Sequence, residues 1–255
     1  MTNEPREIQA VKIALDIIEQ LQEEGSSGIT ELSNELGLAK STVYNHLNTL
    51  INKQYVVKSG DRCELGFKIV GVAEDVKRNF GEYEVVREEV QKLAQKTGEV
   101  AKFGTVEHGN IRYVSKSIGE NAVETASDIG KQQVNPIYTT AIGKVTLAHL
   151  PSDETDEIIE RTDFIPRTQN TIVNEAELRE QLNRITERGY AIDDEENVQG
   201  LRCVAVPVLD DGSVIGALSI SGPASRFNEE RLHEELQDAV RHSANVIELK
   251  AKFKQ

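Results

Sequence analysis

The stretch from Leu36 to Gly60 constrains the chain more than any other part of its sequence. Its 25 residues include no Asp or Glu, although 43 of the 255 residues are acidic. At that overall frequency, about four acidic residues would be expected in this stretch. Apolar residues recur in it at helical spacing and would form one buried stripe, Val43, Leu47, Leu50 and Ile51. The opposite face of the predicted helix carries hydroxyls and amides instead of the usual mixture of Glu and Lys.

That polar face is typical of a DNA recognition helix. Hydroxyls and amides can hydrogen-bond base edges or phosphate oxygens, and Asn can pair bidentately with adenine in a major groove. The candidate contacts on this face are Ser41, Thr42, Tyr44, Asn45 and Asn48. Basic residues at both ends of the stretch and just beyond it would contact phosphate, namely Lys40, Lys53, Lys58 and Arg62. The alternative is an ordinary amphipathic helix whose polar face lacks acids.

The flanking segments favour DNA binding over that alternative. Residues 30–36 predict a short helix with Thr30 as its N-cap, and Gly37-Leu38 would make the tight turn into the next helix. Two short strands follow, over 55–57 and Arg62–Leu65. With the apolar helix that precedes them and ends near Gly25, these elements predict a winged helix-turn-helix over residues 1–66.

A helix over residues 67–81 is predicted to link this domain to a second one, residues 82–255. Its apolar stripe would either mediate dimerisation or pack on its own domain, and DNA operators are commonly bound by two-fold dimers. Beyond it, the pattern predicts antiparallel strands with helices beside them, an α+β domain. The predicted strands are 100–106, 111–116, 122–126, 190–193, 203–209 and 214–221, and the predicted helices are one from Tyr83 to about Lys96, 139–150, 153–161, 175–188 and one from about Glu229.

Composition narrows the class of protein further. No apolar run approaches the roughly 18 residues that span a bilayer, and no N-terminal segment suggests a signal peptide, so a cytoplasmic location is expected. Cys63 and Cys203 are too few for a disulfide scaffold and lack metal-ligand spacing. The net charge of −14 would leave an acidic body beside an acid-free DNA surface, and it also fits a salty cytoplasm.

At several places the chain resembles the IclR, or isocitrate lyase regulator, family of transcriptional regulators. The similarity lies in AVKIALDIIEQL, STVYNHLNTL and CELGFKIVGVA of the first half, and in TAIGKVTLAHLP, GYAIDDEE and GLRCVAVPVLDDGSVIGALSISGPASRF of the second. It implies a winged helix joined to a GAF-like effector-binding domain, a homodimer or homotetramer, and, with this acidity, a halophilic archaeal source. Asn45 stands where family members often have Arg, and Phe67 where Pro is common, so the operator sequence does not transfer.

The resemblance also implies an effector pocket, formed by Asp193, Cys203, Ser219 and Ser221. Alternation along the last strand puts both serines on one face, and the N-terminus of the helix that begins near Thr140 could add N–H donors for an anion. Such groups suit a small carboxylate, sugar acid or polyol. Alternatively, Cys203 is simply a buried strand residue.

The expected function is a ligand-responsive regulator that binds a double-stranded DNA operator. A small-molecule or thiol-redox sensor that acts through Cys203 on a protein partner is the runner-up. No enzyme activity, cofactor, metal site or membrane partner is expected, because the five His residues are scattered and no phosphate-binding Gly-rich motif is present.

Overall fold

The computed structural model describes residues 7–123 and 135–253. They form two compact units, divided between Phe80 and Gly81. Each unit has an antiparallel sheet with helices beside it, so the predicted α+β class is confirmed. Among the helices of the described ranges, none has the length and apolar character needed to cross a membrane.

The N-terminal unit is a winged helix-turn-helix, as predicted. Its elements in chain order are α1 (Gln9–Glu24), β1 (Ser26–Gly28), α2 (Ile29–Glu35), α3 (Lys40–Asn52), β2 (Val56–Ser59), β3 (Arg62–Leu65) and α4 (Lys68–Asn79). The strands pair in the order β1-β3-β2, and the hairpin of β2 and β3 is the wing. The core lies between α1, α2, α3 and the wing, with Ile17, Leu21 and Leu32 fully buried.

Two local features of this unit differ from the prediction. β1 was not predicted, because a strand of three residues is defined only by its pairing with β3, in which Ser27 lies opposite Cys63. The N-cap of α2 is Gly28 rather than Thr30. The carboxylate of Glu31 accepts hydrogen bonds from the Gly28 N–H and from the Ser27 hydroxyl, which fixes the start of the helix two residues earlier.

The recognition helix α3 has the predicted buried stripe. Val43, Leu47 and Leu50 are buried, while Ile51 is half-buried. The turn before α3 places Gly37 at φ +64°, a region that favours glycine, and the Ser33 hydroxyl donates to the Leu38 carbonyl across it. The geometry of the turn therefore comes from local chemistry that the sequence contains.

Apolar side chains are exposed on α4 and on one face of α1. No residue of α4 is buried, and Val70 and Val76 are more than half exposed. On α1, Ile13, Ile17 and Leu21 face the core, whereas Ile8, Val11 and Leu15 are more than half exposed. The structure divides the chain into two units between Phe80 and Gly81. The predicted limits of three segments, 1–66, 67–81 and 82–255, remain a prediction.

The C-terminal unit is built on a five-stranded sheet. Its elements are α5 (Tyr83–Thr97), β4 (Val100–Glu107), β5 (Asn110–Ile118), a 3-10 turn (Ile137–Thr139), α6 (Ala141–Leu147), α7 (Ser152–Glu160), α8 (Glu175–Arg188), β6 (Ala191–Asp194), β7 (Leu201–Asp210), β8 (Ser213–Pro223), a π-helical stretch (Arg231–Leu236) and α9 (Gln237–Lys252). The strand order is β5-β4-β8-β7-β6. Helices α5 and α9 pack against the sheet, and α6 packs against β6, β7 and β8, with α8 beside it.

The predicted helix over 139–150 is shorter in the structure. Thr140 has an extended backbone, and its Oγ1 accepts a hydrogen bond of 3.0 Å from the Gly143 N–H. Thr140 is therefore the N-cap of α6, and Thr139 belongs to the 3-10 turn. The strand predicted over 122–126 falls mostly outside the described residues, and the described part, Ala122 and Val123, is not in a strand.

Candidate DNA interface and ligand cavity

The side chains predicted to contact DNA lie on the surface of the N-terminal unit. Thr42 and Asn48 are half-buried, and the other predicted contacts are exposed, namely Lys40, Ser41, Tyr44, Asn45, Lys53, Lys58 and Arg62. The three-residue and four-residue steps between Ser41, Tyr44, Asn45 and Asn48 place these four on one face of α3. Base contacts and phosphate contacts can therefore come from the same surface.

A groove of about 380 Å³ runs between α3, the start of α2 and the wing. Tyr44, Asn48, Lys58 and Arg62 line it together with the acidic residue Glu31. Arg62 bridges these elements, because its Nη2 lies 3.0 Å from Glu31 Oε2 and also donates to the Ser26 carbonyl at 2.6 Å. The carboxylate of Glu31 thus partly neutralises the positive charge of Arg62. The pKa of Glu31 is lowered chiefly by the Gly28 N–H and by this arginine.

All five residues predicted to bind an effector line one small cavity in the C-terminal unit. The cavity lies between α6 and the sheet and has a volume of about 30 Å³, room for one or two water molecules, so a larger ligand would have to enlarge it. The predicted residues in its wall are Thr140, Asp193, Cys203, Ser219 and Ser221. Four elements supply them, since Thr140 caps α6 and the others lie on β6, β7 and β8.

Strand register explains why three of these side chains meet. Asp193 of β6 lies opposite Cys203 of β7, which lies opposite Ser221 of β8. Directly opposed residues in antiparallel strands project to the same face of a sheet. A carboxylate, a thiol and a hydroxyl therefore form one row, and Ser219 lies two residues further along β8 on the same face.

Asp193 is almost completely buried. Its Oδ1 accepts hydrogen bonds from the backbone N–H groups of Glu196 at 2.8 Å and Asn197 at 3.3 Å. Burial raises the pKa of Asp193 to about 7, against the opposing effect of the nearby Lys144 ammonium. The carboxyl group can therefore accept a hydrogen bond when ionised and donate one when protonated, both near neutral pH.

Behind Asp193 lies a buried ion pair. The Lys144 ammonium has no exposed surface and donates to Oε1 of Glu196. The other carboxylate oxygen of Glu196, Oε2, is buried and has no hydrogen-bond partner among the described residues. Burial raises the pKa of Glu196, and Lys144 opposes that rise. The Lys144 ammonium thus forms an ion pair with Glu196 and also attracts the carboxyl group of Asp193.

The cavity also contains polar residues that were not predicted, Lys102, Tyr113, Asn135 and Asn197. Lys102 interrupts an apolar strand, and that interruption was a signal in the sequence. Arg167 joins the two amides, because its Nη1 donates to Asn135 Oδ1 at 3.0 Å and to Asn197 Oδ1 at 2.6 Å. The amides and Arg167 come from loops whose positions no local pattern predicts.

Both units of the chain match known protein families. Residues 82–249 match the family model described as "Bacterial transcriptional regulator IclR C-terminal", and residues 10–60 match the IclR helix-turn-helix domain. The HTH-type transcriptional regulator KdgR of Escherichia coli K12 is 36% identical over 237 residues, 92% of this chain and 89% of that protein. The probable HTH-type transcriptional regulator ArcR of Halobacterium salinarum is 32% identical over 250 residues, 97% of this chain and 95% of that protein.

A solved structure extends the similarity to the fold. The crystal structure of the Thermotoga maritima IclR has a TM-score of 0.79 and 30% identity, covering 96% of this chain and 99% of that one. These relatives are transcriptional regulators rather than enzymes. The chain therefore belongs to the IclR family of DNA-binding transcriptional regulators, which carry a C-terminal ligand-binding domain.

Proposed function

We propose that this protein binds a specific operator and that a small polar metabolite, bound in the cavity beneath α6, changes its affinity for that operator. The observation that carries the proposal is the convergence of Thr140, Asp193, Cys203, Ser219 and Ser221 from four elements on one cavity. Buried polar groups in a concave site fix the orientation of a ligand and reject compounds that leave them unpaired.

On the DNA side, α3 would enter the major groove. Tyr44 and Asn45, both exposed, would contact base edges together with Ser41, Thr42 and Asn48. Lys40, Lys53, Lys58 and Arg62 would contact phosphate, with Arg62 contributing less because Glu31 shares its charge.

The effector would be a hydroxylated carboxylate such as a sugar acid, with a neutral polyol as the alternative. Asp193 would repel a carboxylate, so this residue would accept from a hydroxyl of the ligand instead. Ser219 and Ser221 would donate to the acid end, and the first turn of α6 after Thr140 would add N–H donors. The effector would act through its different affinities for two arrangements of the winged helices.

The regulator would act as a homodimer or homotetramer. Apolar side chains exposed on α1 and α4, among them Val11, Leu15, Val70 and Val76, would be covered by a second copy of the chain. A two-fold dimer would also present two copies of α3 to the two half-sites of an operator.

Truncation of the recognition helix tests the DNA assignment. Tyr44→Ala and Asn45→Ala should each weaken binding to the operator, and loss of a bidentate base contact from Asn45 would cost about 1–3 kcal/mol. Asn34→Ala removes an exposed amide from α2 and should have little effect. Fluorescence anisotropy with specific and scrambled duplexes would measure this. Operator binding at wild-type affinity by both α3 variants would place the base contacts elsewhere.

The effector assignment is tested by removing both serine hydroxyls. A thermal-shift screen of hydroxy acids, sugar acids and polyols would first select the effector. The double variant Ser219→Ala with Ser221→Ala should then lose the effect of that compound on operator binding but keep ligand-free operator affinity. Ser213→Ala, on the exposed start of β8, is the matched control. A normal response in the double variant, with loss in Cys203→Ser alone, would support the thiol sensor instead.

A further inference from the structure

The cavity-facing side of the sheet carries a second row of side chains beside the one that contains Asp193. In this row Lys102 of β4 lies directly opposite Ser219 of β8. Both residues line the cavity, as do Ser221, Cys203 and Asp193 of the neighbouring row. Opposed residues have Cβ atoms about 4.5–5.5 Å apart, so the Lys102 stem starts next to the Ser219 hydroxyl.

Lys102 and Asp193 both line the cavity and lie on strands that are three positions apart in the sheet. β8 and β7 separate β4 from β6, so three strand spacings of about 4.8 Å and a shift of two residues along the strands put the Lys102 and Asp193 backbones about 16 Å apart. The thiol of Cys203 and the hydroxyls of Ser219 and Ser221 lie between them. The cavity therefore has a cationic end and an end with an ionisable carboxyl group.

The surroundings of Lys102 reinforce the difference between the two ends. Its Nζ lies 5.2 Å from the centroid of the Tyr113 ring, an electron-rich surface that suits an ammonium. The Tyr113 side chain hydrogen-bonds Asn135, which accepts from the Arg167 guanidinium. On the Asp193 side, the Lys144 ammonium forms an ion pair with Glu196.

We propose that Lys102 binds the carboxylate of the effector and, together with Asp193, fixes the direction in which the effector lies. This inference rests on the proposed function, and it assigns the acid end more narrowly. The carboxylate would lie against Lys102 and Ser219, and a distal hydroxyl would donate to Asp193. A dicarboxylate would be rejected because its second carboxylate would face Asp193, and a neutral polyol would bind more weakly.

Isothermal titration of the full-length protein with matched compounds tests the inference. D-gluconate and D-glycerate are hydroxy monocarboxylates, sorbitol and glycerol are their neutral counterparts, and D-glucarate is the dicarboxylate that corresponds to gluconate. Wild type should bind at least one of the two acids roughly tenfold to a hundredfold more tightly than the matching polyol, the range expected for a hydrogen bond to a charged group. At pH 8, where Asp193 is ionised, D-glucarate should bind more weakly than gluconate.

Variants at two opposed lysines isolate the role of Lys102. Lys102→Met should reduce the affinity for the acid to about the affinity for the matching polyol. Lys102→Arg should keep most of the difference between the two affinities. Lys116→Met removes the same charge from the exposed residue opposite Lys102 on β5 and should leave the preference unchanged. Circular dichroism would check that each variant is folded. If the methionine variant does not fold, the arginine variant still tests the role of the positive charge.

The outcomes separate this inference from the proposed function. If Lys102→Met keeps the wild-type preference while the double serine variant loses binding, the assignment of Lys102 is overturned and the effector cavity stands. If D-glucarate binds as tightly as gluconate at pH 8, the proposed direction of the ligand is wrong. If wild type binds neither acid but binds a polyol, the effector is neutral and Lys102 has no carboxylate to hold. If no compound binds, the proposed effector class fails and the inference with it.

Discussion

Asp193, Glu196 and Lys144 form a buried group with two carboxyls and one ammonium. Lys144 donates to Glu196, whereas Asp193 is held by two backbone N–H groups. Burial penalises the ionised form of Asp193 more than these partners stabilise it, so its pKa rises from an ordinary value of 3.8 to about 7. The charge state of the cavity wall is consequently set near neutral pH.

This pKa predicts the sign of a stability change with pH. Between about pH 4 and pH 7 the folded chain keeps a proton on Asp193 that the unfolded chain releases, so Asp193 lowers stability increasingly as pH rises. The loss is complete above the folded-state pKa and absent below the unfolded one. Asp193→Asn should therefore gain stability relative to wild type across this range, by at most about 1.4 kcal/mol per pH unit. Urea unfolding at several pH values would show it, and a constant difference would contradict it.

Helix α6 depends on a glycine for its position. A Cβ on Gly143 would lie 1.9 Å from the carbonyl oxygen of Ile137, so the first turn of α6 lies directly on the 3-10 turn before it. Thr140, which caps the first turn of α6, also lines the cavity. Close packing of backbone against backbone thus fixes one wall of the cavity.

Two alanine substitutions should therefore have opposite effects. Gly143→Ala should destabilise the C-terminal unit, since the clash outweighs a gain in helix propensity of about 1 kcal/mol. Gly71→Ala, in α4, meets no atom within 4 Å and should stabilise that helix by about 0.5–1 kcal/mol. Thermal unfolding followed by circular dichroism would compare them. Equal stability changes of the same sign would show that α6 can shift away from Ile137.

The two units have separate hydrophobic cores. Ile17, Leu21 and Leu32 belong to that of the first unit, and Val145 and Leu178 to that of the second. Among the described residues, all those that line the cavity belong to the second unit. Folding and ligand binding by that unit should therefore not require the winged helix.

A fragment of residues 82–255 should fold and bind the effector with close to the full-length affinity. It should not bind the operator, because the predicted DNA contacts all lie before residue 66. Calorimetric titration and a gel-shift experiment on the purified fragment would measure both properties. Loss of effector binding by a fragment with native circular dichroism would show that the first unit contributes to the site.

Local patterns in the sequence were sufficient for the elements that depend on short-range chemistry. The spacing of Val43, Leu47 and Leu50 predicted the buried face of α3, and the turn residues 210–212 predicted the break between the strands β7 and β8. Gly189, in the left-handed region at φ +74°, ends α8 where the sequence indicated. The effector residues came from resemblance to the IclR family rather than from periodicity.

Only the tertiary structure decided what lies next to what. The three-residue strand β1 exists because β3, more than 30 residues later in the chain, pairs with it. Lys102 reaches the cavity because β4 pairs with β8, a strand more than 100 residues later in the chain. Helix and strand patterns arise from neighbours along the chain, whereas cavities arise from pairing between distant segments, which depends on how the whole sheet packs.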